Sequence, residues 1–475
     1  MNNNSILALE KLRNFFMSEI FMAVVCIMAA LVTITKQEIY GAVIFVLIIS
    51  FLLVICDDVI VTTLPFLLLS CFAAKCKNSF DIFIGFWWIV FIIVPALVFH
   101  FVYYRDKKAY SMGKSFWAIF MVSIAVTLGG IGKISPQEYF AGVSISNILG
   151  LGFGMLLAYF LMNGSFKPSD KYLFSDRFAK IMLVTAIFGC FMILHHYIIN
   201  LETFLARPRI LQFQWRNNLS TMLMLAMPFV FYMSVKRTSY LVLGFIVYGC
   251  ILLSGSRGGM LFGGIELLIC IVTLIVVDKR KRKINLVILA GIMIACVFAM
   301  SDVIFLLSKT FERFQSKGEN RIRYGLYKRA IEDFKSNPIT GRGIGYMGNR
   351  DIHKSAKFAL CWYHSSVFQI IGSFGIIGII AYVNQYINRL KIFLQNRKNF
   401  FNITVFISYI GIELMSLVNP GVFSPIPYLL IVTMYFIIID NCNTQEDMDA
   451  YYRLKAGEIK SSEEQKVKIE TENLV

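Results

Sequence analysis

Long apolar runs alternate with short polar clusters along almost the whole chain. Most runs approach the ~20 residues that a helix needs to cross the hydrocarbon core of a bilayer. They do not alternate residue by residue, as the strands of a membrane barrel would. The pattern therefore predicts an all-α, polytopic integral membrane protein with about fourteen transmembrane helices. The expected spans are 17–35, 39–56, 58–74, 80–103, 115–132, 139–162, 180–200, 217–235, 239–254, 258–277, 284–306, 364–386, 400–418 and 424–440.

The basic clusters predict how these spans are oriented. With the N-terminus inside, most Lys and Arg of the short loops fall on the cytoplasmic side, as the positive-inside rule requires. Both termini are then expected in the cytoplasm. The cytoplasmic segments would include residues 105–108, 163–180, 236–237, 279–283 and 389–398.

This orientation leaves one large extracytoplasmic loop at about 308–363. The loop carries 12 Lys and Arg against 5 Asp and Glu, on the side where basic residues are normally scarce. One interpretation is that long loops are translocated whatever their charge. The other is an anionic ligand, most simply a phosphate or pyrophosphate.

Composition supports the assignment to membrane proteins, and this assignment changes how the net charge of the chain is interpreted. The chain is 57% hydrophobic, whereas soluble domains are nearer 45–50% apolar. The net charge of +17 would suggest nucleic acid as a partner of a soluble protein. Here the basic cytoplasmic loops account for much of it, and no nucleic-acid partner is expected.

His364 lies near the start of the apolar segment 362–378, at the expected outer end of a span. On a continuous helix His364, Ile371, Gly375 and Gly378 would share one face. With Gly372, these glycines form a small-residue stripe against which a second helix could pack closely. The alternative is an interfacial histidine without a chemical role.

Two further expected outer segments are rich in arginine. Residues 254–259 read SGSRGG, and an arginine among glycines at a helix start suits an anion cradle. The loop 207–218 carries Arg207, Arg209 and Arg216 beside a tryptophan. In both segments, the alternative is a basic side chain that anchors the protein at the membrane interface.

Within the long loop, residues 320–347 predict an amphipathic helix that Pro338 ends. A tight glycine-rich turn then follows. Arg321 and Arg323 stand at the start of the helix. The apolar positions expected to form its buried stripe are Ile322, Leu326, Ala330, Ile331 and Phe334.

These motifs resemble those of the O-antigen ligase/polymerase family of bacterial surface-polysaccharide enzymes, over roughly residues 200–380. The ligase-type signature, approximately His-Asn-x-x-Leu-Gln and then Gly-x-x-Gly, corresponds to His364, Ser365, Phe368, Gln369, Gly375 and Gly378. The family's glycine turn corresponds to Pro338, Gly341, Gly343 and Gly345, and its Ser-Arg-Gly element to Ser256, Arg257 and Gly258. Ser365 stands where the family usually has Asn.

The resemblance implies a metal-independent, inverting glycosyl transfer without a cofactor, at the outer face of the bacterial inner membrane. The donor would be a glycan on undecaprenyl pyrophosphate, and the acceptor a hydroxyl of a glycan or lipid-linked carrier. His364 would remove or orient the proton of that hydroxyl. Arg257, Arg323 or Arg321, and Arg207 or Arg216 would bind the pyrophosphate, with Arg209 a further choice in its loop. A flippase and a chain-length regulator are expected protein partners.

The resemblance also divides the chain. Residues 1–200 would be N-terminal transmembrane helices, 201–440 the ligase/polymerase-like region, and 441–475 a cytoplasmic tail. Polymerase and ligase share the motifs, and the number of spans favours the polymerase. The alternative is a transporter or flippase of lipid-linked oligosaccharides. That class tends to show internal repeats and charges in mid-membrane, but no repeat is evident and only Glu266 and Glu413 lie well inside spans.

Overall fold

A computed structural model shows the chain as a bundle of helices. It describes residues 3–75, 86–107, 110–166, 171–206, 210, 211, 213, 215–298, 301, 304, 308, 317–346, 360, 362–419, 423 and 426–441, and no strand occurs among them. The α-helices are α1 Asn3–Phe16, α2 Glu19–Ile34, α3 Glu38–Ile55, α4 Thr63–Lys75, α5 Val90–Tyr103, α6 Phe116–Leu128, α7 Pro136–Tyr139, α8 Gly142–Leu151, α9 Phe153–Ser165, α10 Lys171–Ile199, α11 Leu201–Ala206, α12 Arg216–Ser234, α13 Ser239–Leu253, α14 Arg257–Val277, α15 Arg282–Phe298, α16 Lys317–Ser336, α17 Ser366–Asn396, α18 Phe400–Ser416 and α19 Ile426–Asn441.

The all-helical class and the membrane character are confirmed. Among the described residues, α3, the α8–α9 pair, α10, α14 and α17 are long and apolar enough to cross a membrane. The bent pair α1–α2, with an angle of 58°, would make a sixth span. Each of the fourteen predicted spans contains a helix, but several of these helices are short. The number fourteen and the single large outer loop therefore stay predictions.

Helix ends that the predicted topology places on one side contact one another. Lys114, before α6, pairs with Asp440 at the end of α19 over 2.5 Å. Lys236, after α12, pairs with Asp176 near the start of α10. These contacts agree with the predicted alternation of helix direction. Which side faces the cytoplasm stays a prediction.

Helix α12 is the central helix of the bundle. Every residue from Leu219 to Ser234 is buried, and the helix packs against α10, α13, α14 and α18. A helix that is covered on all sides needs no polar face, which explains its nearly uniform apolar sequence. Its first residue is Arg216, so this central helix begins at one of the predicted site residues.

Helix α16 matches the predicted loop helix in position but not in its buried face. Leu326 and Ala330 are fully buried as predicted, whereas Ile322 and Ile331 are 42% and 43% exposed. Asp333, at 2% exposure, lies on the inner face instead. The helix turns this face toward α17, and the carboxylate contacts Tyr363, just before α17, and Arg342 of the following turn.

Helix α17 is interrupted at Gly375, whose φ of +59° and ψ of −150° are not helical. The N–H groups of Ile376 and Ile377 donate to the carbonyls of Pro338 and Ile339, over 2.8 and 3.2 Å. A side chain at Gly375 would meet the same backbone, since a Cβ there would lie 2.5 Å from the Pro338 oxygen. At this glycine, the element that packs against the predicted stripe is therefore the turn after α16 and not a second helix.

The glycine turn, residues 338–345, also donates two hydrogen bonds to α17. The N–H groups of Arg342 and Gly343 donate to the carbonyls of Gly372 and Ser373, each over 2.8 Å. The turn therefore satisfies both the donors and the acceptors that the break in α17 exposes, as buried irregular backbone requires. It thereby fixes α16 against α17 at the end of the bundle that is predicted to be extracytoplasmic.

Candidate functional site

Five segments that are distant in the sequence line one open cavity of about 190 Å³. It lies where α12 and α14 begin, α18 ends, and α16 meets the residues before α17. The residues that line it are Arg216, Asn217, Arg257, Gly258, Ile322, Arg323, His364, Met415, Val418 and Asn419. The structure thus brings together four residues singled out in the sequence, namely His364 and three arginines.

Arg216 and Arg257 occupy the same kind of position, the first residue of a helix. The positive end of a helix dipole therefore reinforces each guanidinium charge. Ser256 joins the two helix starts: its hydroxyl donates to Asn217 Oδ1 over 2.9 Å and accepts from the Gly259 N–H over 3.2 Å. The cap of α14 also ties that helix to α12, so the two arginines are held at a fixed spacing.

The glycines after Arg257 let other helices approach closely. A Cβ at Gly258 would lie 2.8 Å from Met415 Sδ, and one at Gly259 would lie 2.8 Å from Ser220 Cβ. Both distances are shorter than side chains tolerate. These glycines therefore allow α18 and α12 to pack at the cavity wall.

Arg323 reaches the cavity from α16. One turn later on the same helix, the Tyr327 ring stacks on Phe368 of α17, with centroids 4.3 Å apart and planes within 9°. Burial raises the pKa of the Tyr327 hydroxyl, and the nearby charge of Arg323 opposes that rise. The stacked pair thus holds the start of α16 beside His364.

Other arginines predicted for the site cannot be placed. Arg207 and Arg209 lie outside the described residues, as does the side chain of Arg321. Arg216 is the arginine of the 207–216 loop that lines the cavity, and Arg323 is the one of its pair whose side chain is described. Their predicted pyrophosphate contacts stay predictions.

His364 lies just before α17 rather than on it, and its φ of +55° is in the left-handed region. For a residue with a side chain this conformation costs on the order of 1–2 kcal/mol. Such strain persists only where the surroundings hold it, and it is concentrated at functional sites. The predicted alignment of His364 with the glycines of α17 is therefore wrong, because the helix begins at Ser366.

The residues around His364 form a buried hydrogen-bonded network. The Tyr363 N–H donates to Gln369 Oε1 over 3.0 Å, and Gln369 Nε2 donates to Ser373 Oγ over 2.8 Å. The Tyr363 hydroxyl donates to Asp333 Oδ2 over 2.7 Å. Backbone and side chain of the residue before His364 are thus both fixed.

Sequence reasoning missed Asp333. Its Oδ1 lies 3.5 Å from Nε of both Arg329 and Arg342, so part of the loop's basic excess is matched inside the loop. The available signal was an acid at helical spacing from Leu326 and Ala330, on the face predicted to be buried. Met415 and Val418, which also line the cavity, are ordinary apolar residues and gave no signal.

The family model described as O-Antigen ligase matches residues 241–383. This segment includes Arg257, Arg323 and His364 but not Arg216, so five of the ten residues that line the cavity lie within the matched region. No curated protein matches the chain. The match covers residues 241–383 of the 475-residue chain, and it supports the assignment of this segment to the O-antigen ligase/polymerase family.

Proposed function

We propose that this protein is a membrane glycosyltransferase of the O-antigen polymerase/ligase type. It would move a glycan from undecaprenyl pyrophosphate to an acceptor sugar hydroxyl at the outer face of the membrane. The observation that supports this best is the single cavity lined by His364 and three arginines from separate helices. The sequence pattern alone also points to each of these four residues.

The cavity has the charges that this reaction needs. When the acceptor oxygen attacks the anomeric carbon, the bond from that carbon to the phosphate oxygen breaks, and negative charge builds on the departing pyrophosphate. Arg216, Arg257 and Arg323 would stabilise this charge by preorganised electrostatics. His364 would accept the proton of the attacking hydroxyl or orient that hydroxyl.

Attack from the face opposite the leaving group inverts the configuration at the anomeric carbon. We propose that arginines, rather than a divalent ion, supply the positive charge. An excess of EDTA should then leave the transfer rate unchanged, and the product linkage should have the opposite anomeric configuration to the donor. Loss of activity in EDTA, restored by a divalent ion, would contradict the metal-independent mechanism.

The activity can be tested with purified protein in liposomes that contain undecaprenyl-pyrophosphate-linked repeats. We expect glycan transfer with release of undecaprenyl pyrophosphate, and a loss of about 10²–10⁴-fold for His364→Ala, the usual contribution of a general base. Lys328→Ala is the matched control, because Lys328 is an exposed residue of α16 that does not line the cavity. Full activity of a well-expressed His364→Ala variant would refute the assigned role.

The same liposomes distinguish the related functions. Lengthening of the lipid-linked repeats without another acceptor identifies the polymerase, which the predicted number of spans favours. Transfer only to an added lipid A core identifies the ligase. Movement of the lipid-linked glycan across the bilayer with no covalent product would instead favour the transporter.

A further inference from the structure

We propose that Asp333 and Tyr363 form a clamp that holds His364 in its left-handed conformation, so that both act as positioning residues for glycosyl transfer. The proposal rests on the proposed function, since it assumes that His364 acts on the acceptor hydroxyl. Neither residue lines the cavity. Their effect would therefore pass through the backbone of His364.

The first part of the argument is that the strained backbone needs an external constraint. Left-handed φ is unfavourable for a residue with a side chain, so an unconstrained chain would relax to another conformation and move the imidazole. The next residue, Ser365, is extended at φ −158° and precedes the first turn of α17. Its carbonyl accepts from the Gln369 N–H over 2.8 Å, which fixes the C-terminal side of His364.

The N-terminal side of His364 is fixed by Tyr363, which is fully buried. Its ring packs closely against Gly372, where a Cβ would lie 2.7 Å from Tyr363 Cε2. Its hydroxyl donates to the carboxylate of Asp333 over 2.7 Å, the short distance typical of a charge-assisted hydrogen bond. Because Asp333 belongs to α16, this bond ties the residue before His364 to another helix.

The carboxylate of Asp333 is itself held in place. Arg329 and Arg342 approach its other oxygen, and Arg329 Nη2 also donates to the Tyr346 hydroxyl over 2.7 Å. Asp333 is therefore a fixed acceptor rather than a mobile one. The helix that presents Arg323 to the cavity thus also fixes the backbone next to His364.

Tyr363→Phe tests the clamp, because it removes the hydroxyl and keeps the ring that packs on Gly372. We expect kcat to fall between about 10-fold and 100-fold, the effect of a small displacement of a reacting group. The KM for the lipid-linked donor and its equilibrium binding should stay within about threefold, since the three arginines are untouched. Asp333→Asn should have a smaller effect, because an amide oxygen still accepts the bond without the charge.

Glu332→Gln is the matched control: it makes the same charge change one residue away, at an exposed position outside the cavity. It should leave kcat unchanged. The double variant Tyr363→Phe/Asp333→Asn should be no worse than Tyr363→Phe alone, because the two residues act through one bond. Rates are compared well below the unfolding temperature of each variant.

The decisive measurement adds Tyr363→Phe to His364→Ala. If the clamp acts through His364, the second substitution should change the residual rate by less than about twofold. A full further loss in that background, full activity of Tyr363→Phe alone, or loss of donor binding with it would each overturn the clamp. If His364→Ala alone is fully active, the role of His364 in the proposed function fails as well, which separates that result from a failure of the clamp only.

Discussion

Arg257 combines two sources of positive charge at one place. It is the first residue of α14 and lines the cavity, so its guanidinium and the helix dipole both favour an anion there. A guanidinium also presents a planar fork of donors that matches phosphate oxygens, which an ammonium cannot reproduce. Charge and shape at this residue can therefore be tested separately.

Arg257→Ala should lower kcat/KM by about 10²–10³-fold, the usual cost of one donor to a developing anion. Arg257→Lys should lose less, because it restores the charge without the fork. Steady-state transfer rates in liposomes measure both variants, with Lys328→Ala again as the control. Equal losses for Lys and Ala would mean that fork geometry matters rather than charge, and no loss for either would remove Arg257 from the site.

At the scale of single residues, the sequence identified the histidine and the three arginines of the cavity but not their conformation. Arg216, Arg257 and Arg323 could be selected because arginines near a membrane are costly and tend to be functional. The left-handed φ of His364 could not be predicted. It depends on contacts of its neighbour with a residue thirty positions earlier in the chain, and no local pattern encodes such a contact.

The glycine turn contacts both α17 and the residues that follow α6. It bonds to the break in α17, and its Thr340 carbonyl accepts from the N–H of Gly130, just after α6, over 2.9 Å. A Cβ at Gly130 would lie 2.5 Å from the Arg342 carbonyl oxygen. Gly130 therefore needs to be a glycine both for its φ of +82° and for the space.

Gly130→Ala should greatly reduce transfer, because the added methyl group would push the turn, and with it α16 and Arg323, away from the cavity. Gly132 offers a matched control. Its φ of +84° is nearly the same, but nothing lies within 4 Å of a Cβ there. Gly132→Ala should cost only the backbone term, on the order of 1–2 kcal/mol of stability, and should keep its activity.

Limited proteolysis of both variants would show whether the turn has lost its contacts with the helices. Greater cleavage near residue 340 in Gly130→Ala than in Gly132→Ala is the expected result. Equal activity of the two variants would mean that the contact with α6 does not support the site.

The positions of most helices could be predicted from the sequence, but the face of α16 that is buried could be predicted only in part. Apolar runs fixed where α12, α14 and α17 lie, because length and composition decide which segments can enter a membrane. The prediction of which face of α16 is buried is partly wrong. Asp333 turns inward to meet Tyr363 and two arginines, and hydropathy alone assigns an acid to the outer face.

For the whole molecule, the ends of the helices sort into two sides. The cavity and the glycine turn lie at one end, and the ion pairs of Lys114 and Lys236 lie at ends predicted to be on the other side. Inside the bundle, Arg389 pairs with Glu413 over 3.2 Å. Glu266 is buried against Gly411 and has no hydrogen-bond partner among the described residues. The carboxyls noted inside the spans are thus packed between helices.

Cysteine labelling tests the orientation. In a background without reactive cysteines, Thr340→Cys should react with a membrane-impermeant thiol reagent added outside intact cells, and Arg237→Cys should not. After the membrane is opened, both should react. Labelling of Thr340→Cys only after opening would place the cavity in the cytoplasm and contradict the proposed reaction.

The wide spacing of the cavity residues has a consequence for biogenesis. The lining runs from Arg216 to Asn419, and the turn that holds α16 also needs Gly130. A nascent chain therefore cannot complete the site until α18 has entered the membrane, after every earlier span. If the cavity is the active site, no shorter intermediate of synthesis can use up the lipid-linked donor, and activity begins only when assembly of the bundle is nearly finished.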